Sequence, residues 1–142
     1  MADVLIVYWS GTGNTEIMAE HIKAGVEAAG LSADLRSVDD VEANEVQAFD
    51  KIAFGCPSMG LEVLEEDEFE PFFSAVENHL EGKKVALFGS YGWGEGEWME
   101  LWEARTKKTG AVLFESSLTI NSTPSGEEEE ACKAFGQRFA SF

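Results

Sequence analysis

Two rhythms of apolar and polar residues alternate along the chain. Short runs are apolar at every position. Longer stretches are apolar only every third or fourth position. Val4-Leu5-Ile6-Val7-Tyr8 is a continuous apolar run, and it predicts a buried strand over Asp3–Tyr8. Trp9–Asn14 is a loop with two glycines. A helix is predicted over Thr15–Ala29, with Met18, Ile22, Gly25, Val26 and Ala29 on one face and Gly30 as the stop. Ala33–Val38 reads as a weaker strand, and Asp39–Ala48 as an acidic connection with room for a helical turn. Lys51–Gly55 is again a buried strand. Cys56–Glu65 is irregular. A second helix, Asp67–Leu80, turns Phe69, Phe72, Phe73, Val76 and Leu80 one way, with acids at the favoured end of its dipole. Lys84–Gly89 is a buried strand, and Ser90–Glu97 a glycine-rich loop. Trp98–Thr109 is helical, with Arg105, Lys107 and Lys108 in its last turn. Ala111–Ile120 is the last strand. Pro124-Ser125 opens the last helix, with Ala131, Phe135, Phe139 and Phe142 as its buried stripe.

Strands that are apolar on both faces, each followed by an amphipathic helix, predict a parallel sheet covered on both sides. Open sheets of this kind bind ligands beyond the C-terminal ends of their strands, where the strand order reverses. The loops after strands one, three and four are therefore the places to look for chemistry.

The first of these loops is Ser10-Gly11-Thr12-Gly13-Asn14-Thr15. It opens a helix, whose unpaired N–H groups and partial positive charge suit a phosphate. Ser10, Thr12 and Thr15 add hydroxyls, Asn14 adds an amide, and the glycines let the backbone approach an anion. A tight turn with a Ser/Thr cap would need fewer donors than this. G-x-x-x-x-G-K-[ST] is missing, which excludes a P-loop nucleotidase. Glu16 stands where a dinucleotide fingerprint needs a small residue. With no Lys or Arg nearby, the loop suits a terminal phosphomonoester held by neutral donors. The strand ends Tyr8-Trp9 and Gly55-Cys56 lack the aspartates of a receiver domain. Glu62, six positions after Cys56, excludes the Cys-x5-Arg phosphatase loop.

Composition narrows the partners. The 142 residues are enough for one domain spanning 1–142 that needs no metal or disulfide staple. Ten basic residues against 27 acidic ones give a net charge of −17. Such a polyanion repels nucleic acid and anionic membranes and attracts basic partners. The apolar N-terminal run is too short for a membrane span and lacks the features of a signal peptide. Cys56 and Cys132 form no CxxC pair, which points to free thiols in a reducing cytoplasm. No Cys/His cluster suggests a metal. His21 and His79 read as boundary residues, and Glu65–Glu68 and Glu127–Glu130 as helix-start and solvated charges.

Tyr8-Trp9-Ser10-Gly11-Thr12-Gly13-Asn14-Thr15-Glu16 resembles the FMN phosphate loop of flavodoxins. Gly55-Cys56-Pro57-Ser58-Met59-Gly60 and Gly89-Ser90-Tyr91-Gly92-Trp93-Gly94 are similar to that family's second and third loops. The resemblance covers the whole chain and is nearest to the short-chain flavodoxins of anaerobic bacteria. It implies a three-layer α/β/α sandwich with a five-stranded parallel sheet in the order 2-1-3-4-5. It implies FMN bound by Ser10 to Thr15, with Met59 on the inner face of the flavin and Trp93 stacked on the outer. Both residue types suit an aromatic partner. Met59-Gly60-Leu61-Glu62 has the form of a type II′ turn with Gly at the position of positive φ. In the family this peptide turns over on reduction, which favours a one-electron device cycling between semiquinone and hydroquinone. Leu61 departs from the polar residue often found there. Ser58 belongs to the same loop. Glu62 would accept from flavin N3–H; without the resemblance it reads as one more surface acid. Backbone N–H groups of Gly89, Ser90, Tyr91, Gly92 and Trp93 would face N1 and O2. In Asn121-Ser122-Thr123-Pro124 the ribityl contact stays open between Asn121 and Ser122. The implied role is low-potential electron carriage in the cytoplasm, not catalysis. Implied partners are ferredoxin-type reductases, pyruvate oxidoreductase, hydrogenase or nitrogenase systems. The rival is an FMN-dependent quinone or azo-compound reductase of the same fold.

Overall fold

The computed structural model describes residues 2–142. Its central sheet is parallel throughout. The strands are β1 (Val4–Tyr8), β2 (Ala33–Ser37), β3 (Lys51–Gly55), β4 (Lys84–Tyr91), β5 (Val112–Leu113) and β6 (Leu118–Asn121). The order is β2-β1-β3-β4-β5, and β6 continues the outer position beside β4. Helices α1 (Asn14–Ala28), α2 (Ala43–Val46), α3 (Phe69–Val76), α4 (Glu97–Lys108) and α5 (Gly126–Ala140) alternate with the strands.

The period of two along each strand builds two cores, one on each face of the sheet. Leu5, Val7, Ile52, Phe54, Val85 and Leu87 point toward α3 and α4, where they meet Phe69, Phe73, Trp98 and Trp102. Val4, Ile6, Ala53, Ala86 and Phe88 point toward α1 and α5, where they meet Met18, Ile22, Phe135 and Phe139. Strands this apolar on both faces fit nowhere but between two helical layers. On one side α1 and α5 come into backbone contact: a Cβ on Gly25 would overlap the Lys133 carbonyl, and one on Gly136 the Ile22 carbonyl. Contact this close puts helix-face glycines under packing, not turn, constraint.

The structure revises four expectations. The last strand is two segments, β5 and β6. Leu113 pairs with Val85 and Leu118 with Phe88, so five residues cover the length of three in β4. The excess bulges out around Glu115 at φ +43, and Phe114 drops into the aromatic cluster of Phe135, Phe139 and Phe142. Strand β4 runs on to Tyr91, because β6 offers partners as far as Asn121. The phenylalanine-rich helix is shorter than its periodicity: α3 ends at Val76 and a 3₁₀ turn, Glu77–His79, carries the chain to buried Leu80. Ala29, just past the end of α1, and Ala131 on α5 are exposed, and Cys132 takes the place expected of Ala131.

The helix ends decide where the site lies. Ser125 caps α5 through a reciprocal pair with Glu128. Glu65, only 6% exposed, caps α3: its carboxylate accepts from the N–H groups of Asp67, Glu68 and Phe69, each at 2.8 Å. By contrast α1 begins after Gly13, at φ +98, with no side-chain cap. Its first N–H groups are left for something else.

Candidate functional site

A cleft of about 210 Å³ opens at the C-terminal ends of β1, β3 and β4. Trp9, Gly11, Thr12 and Asn14 form its wall from the first loop, Pro57, Ser58 and Met59 from the second, and Ser90, Tyr91 and Gly92 from the third. Ser122 closes it from the loop after β6. This is the reversal point of the sheet, between β1 and β3. No Lys, Arg, Asp or Glu lines it. The donors it offers are hydroxyls, an amide and the free end of α1.

The first loop is held in its curl by hydrogen bonds of its own and to neighbouring segments. Ser10 Oγ accepts the Gly13 N–H at 3.0 Å, which curls the loop. The Trp9 ring lies against Gly11, where a Cβ would come within 2.9 Å of it, and Trp9 Nε1 donates to Glu68 at 3.1 Å. Asn14 Oδ1 accepts from the Thr123 hydroxyl at 3.0 Å, which ties the loop to the segment after β6. Thr15 is 1% exposed, and its hydroxyl meets that of Ser90 at 2.9 Å. Ser90 N–H also approaches Thr15 Oγ1, at 3.4 Å. Thr12 is exposed and unengaged, free to reach a ligand. Below the loop, the Tyr8 hydroxyl donates to Glu16 at 2.6 Å. Burial, and then that hydrogen bond, push its pKa up to about 12.

The second loop departs from the expected turn. Met59 N–H donates to the Val63 carbonyl at 2.8 Å, and Val63 N–H to the Met59 carbonyl at 2.9 Å. The turn therefore closes on Val63, one residue later than a four-residue turn over Met59–Glu62. Gly60 has the expected positive φ, +49, but Glu62 has one too, at +54. Leu61 is the tip, 87% exposed. Cys56, which starts the loop, is fully buried, and burial drives its thiol pKa far above the ordinary value.

The third loop is shorter than its sequence. Gly89, Ser90 and Tyr91 belong to β4, and a Cβ on Gly89 would overlap the Cys56 carbonyl. Ser58 N–H donates to the Ser90 carbonyl at 3.0 Å, so the second and third loops leave the sheet together. Gly92 and Trp93 project beyond it. Trp93 is 59% exposed, a large aromatic surface beside the cleft with no core to fill.

Of the residues singled out from sequence, Gly11, Thr12, Asn14, Ser58, Met59, Ser90, Tyr91 and Gly92 line the cleft. Ser10, Gly13 and Thr15 shape its floor. Gly60, Leu61, Glu62 and Trp93 are not part of its wall: Leu61 and Trp93 are exposed, Glu62 turns toward the start of α4, and Gly89 lies inside the sheet. Between the two candidates after the last strand, Ser122 lines the cleft and Asn121 ends β6. Ser122 is at φ +61, which turns the chain inward. Trp9 and Pro57 line the cleft unforeseen. Both stand inside the motifs that resemble the FMN loops, which is the available signal.

Among the described residues no three metal-ligating side chains converge, and no helix is long and apolar enough to cross a membrane. Comparison with known proteins agrees with the geometry. The flavodoxin family model matches residues 6–136. A flavodoxin of Megasphaera elsdenii is 48% identical over 137 residues, spanning 96% of this chain and 98% of that protein. One of Clostridium beijerinckii is 48% identical over 135 residues, spanning 95% and 97%. The solution structure of two-electron reduced Megasphaera elsdenii flavodoxin superposes with a TM-score of 0.88, covering 98% of this chain and 99% of that one. A cleft at the sheet's reversal point, an uncapped helix start among neutral donors and full-length likeness to these proteins lead to one conclusion: the chain belongs to the flavodoxin family.

Proposed function

We propose that this flavodoxin carries single electrons at low potential on one FMN, held without a covalent bond between the three loops. The observation that carries the reading is the uncapped start of α1, open to a cleft whose donors are all neutral. A phosphate there replaces the missing cap. Thr12, the amide of Asn14 and the first N–H groups of α1 would donate to it, while Ser10 and Thr15 hold the loop. Ser58, Pro57 and Ser122 would flank the sugar-like chain. Met59 and Trp93 would sandwich the ring, with Gly60, Leu61 and Glu62 at one edge and Tyr91, Gly92 and Trp93 at another.

The bound ring supplies the electron chemistry, taking up and releasing electrons singly. The protein sets its terms. Trp93, the proposed outer wall, is itself 59% exposed, so part of the ring would stay at the surface. An exposed edge suits electron transfer by contact. A reductase acting on quinones or azo compounds needs room for a second substrate over the ring, and Trp93 stacked on the outer face would cover that room. The ring's aromatic and thioether walls exclude water, and the net charge of −17 opposes further negative charge. Both lower the potential of the second electron.

Partners are redox proteins with a basic face, such as ferredoxin-type reductases, pyruvate oxidoreductase, hydrogenase or nitrogenase systems. The chain works as a monomer in the cytoplasm. The test is anaerobic reductive titration of the purified yellow protein. Two separate one-electron steps are expected. A single two-electron step would overturn the carrier reading in favour of the reductase.

A further inference from the structure

The segment from Cys56 to Glu62 is fastened at both ends by adjacent residues of α4. At its start, Trp98 Nε1 donates to the Cys56 carbonyl at 3.2 Å, deep in the core. At its end, the Glu97 N–H donates to Glu62 Oε1 at 3.0 Å. Met59 and Gly60 lie between these two points. Gly96 precedes α4 at φ +88 and offers no side-chain cap of its own. The Glu62 carboxylate supplies one from another loop, at the helix end where negative charge is favoured.

Gly94 completes the arrangement. A Cβ there would lie 2.6 Å from Glu62 Cδ and 2.7 and 2.9 Å from its two oxygens. Those separations are too short to be tolerated, so the carboxylate occupies this place only because residue 94 has no side chain. Glu62 pays with a backbone at φ +54, uncommon for a non-glycine residue. The Met59–Val63 pair and the α4 cap hold it there together.

We propose that Gly94 and the first turn of α4 are positioning elements for the ring pocket. They hold the Glu62 carboxylate with Oε1 committed to α4 and Oε2 left for an imide N–H at the ring edge. The inference rests on the FMN reading above. It makes the ring contact a fixed acceptor and couples it to the helix start.

Gly96 provides the control. It has the same φ as Gly94, +88, but a Cβ there meets nothing within 4 Å. Gly94→Ala and Gly96→Ala therefore place a Cβ at the same φ, and only the first displaces the carboxylate. FMN affinity is measured for both variants, each with and without Glu62→Ala. Gly94→Ala should weaken FMN about tenfold more than Gly96→Ala, the scale of one charge-assisted hydrogen bond. That excess should vanish in the Glu62→Ala background, as a shared path requires. In the full chain stripped of FMN, amide exchange at Glu97 should quicken about tenfold in Glu62→Ala and much less in Glu62→Gln, which keeps an oxygen acceptor. Equal losses from Gly94→Ala and Gly96→Ala, or an excess that survives Glu62→Ala, would overturn the positioning role. Unchanged Glu97 exchange in Glu62→Ala would overturn the cap, and that arm decides the matter should Gly94→Ala fail to fold. A wild-type chain that binds no FMN would overturn the functional reading and the ring contact with it, while the exchange arm still reads the cap.

Discussion

The hydroxyls of Thr15 and Ser90 meet at 2.9 Å although 75 positions separate them in the chain. One opens α1 and the other sits near the end of β4, and both are buried. The pair ties the start of α1 to the end of β4, where the third loop leaves the sheet. Thr15→Val keeps the shape but leaves the Ser90 hydroxyl buried without its partner. It should cost about 1–3 kcal/mol of stability in the FMN-free chain. Urea unfolding measures this. Thr12→Ala, at an exposed hydroxyl, should leave that stability unchanged and weaken FMN instead.

The cradle holds its anion through dipoles, not through a cation. FMN should therefore bind far more tightly than riboflavin, which lacks the phosphate. Fluorescence titration of the stripped protein with each compound gives the comparison. Equal dissociation constants would remove the phosphate role from residues Ser10 to Thr15.

Gly60 allows a substitution that acts through the backbone alone. Its φ is +49, and a Cβ built on it touches nothing within 4 Å. If the peptide at 60 turns toward the ring on reduction, as the family likeness implies, and positive φ at 60 belongs to the turned form alone, Ala at this place costs that form about 1–2 kcal/mol. The first one-electron potential should then fall by roughly 40–90 mV, since a tenfold change is about 59 mV for one electron. Spectroelectrochemistry reads the shift. An unchanged first potential with FMN bound normally would show that this longer turn does not switch.

Both thiols should be silent in the native protein. Cys56 and Cys132 are buried and free, and burial pushes the Cys132 pKa up to about 12 and that of Cys56 higher still. A thiol reagent at neutral pH should label neither until the chain unfolds. The same shift has a sign for stability. Above pH ~8.5 the unfolded thiols lose protons that the folded ones keep, so the unfolded state binds fewer. The thiol contribution is fully present below that pH and is lost as pH rises toward 12. Replacing Cys132 by Ala should flatten this part of the alkaline limb.

Partner encounter should depend on salt. With a net charge of −17, association with a basic redox protein should slow steeply as ionic strength rises, because screening shortens to about 8 Å at physiological salt. Stopped-flow oxidation of the reduced protein by a basic haem protein across a salt series tests this. A rate independent of salt would count against electrostatic docking.

Much of this molecule is written in local pattern. Val4–Tyr8, Lys51–Gly55 and the run from Lys84 are apolar at successive positions, and only a sheet covered on both faces accommodates that. Gly11, Thr12 and Asn14 stand between a strand and a helix, so an anion site followed from order alone. The basic last turn of α4 and the Ser125 cap of α5 are equally local. What tertiary structure decided are relations between distant segments. Sequence shows Glu62 and Glu65 as two acids among 27, yet one caps α4 across a loop and the other caps α3 from within the core. Whether the last strand breaks depends on where Phe114 finds a pocket among the α5 aromatics. Whether Ser122 or Asn121 faces the cleft depends on the register of β6 against β4 and on one positive φ. Periodicity fixes which face of an element is buried. The partner of each polar group depends on the order in which the strands assemble, and that order is a property of the whole sheet.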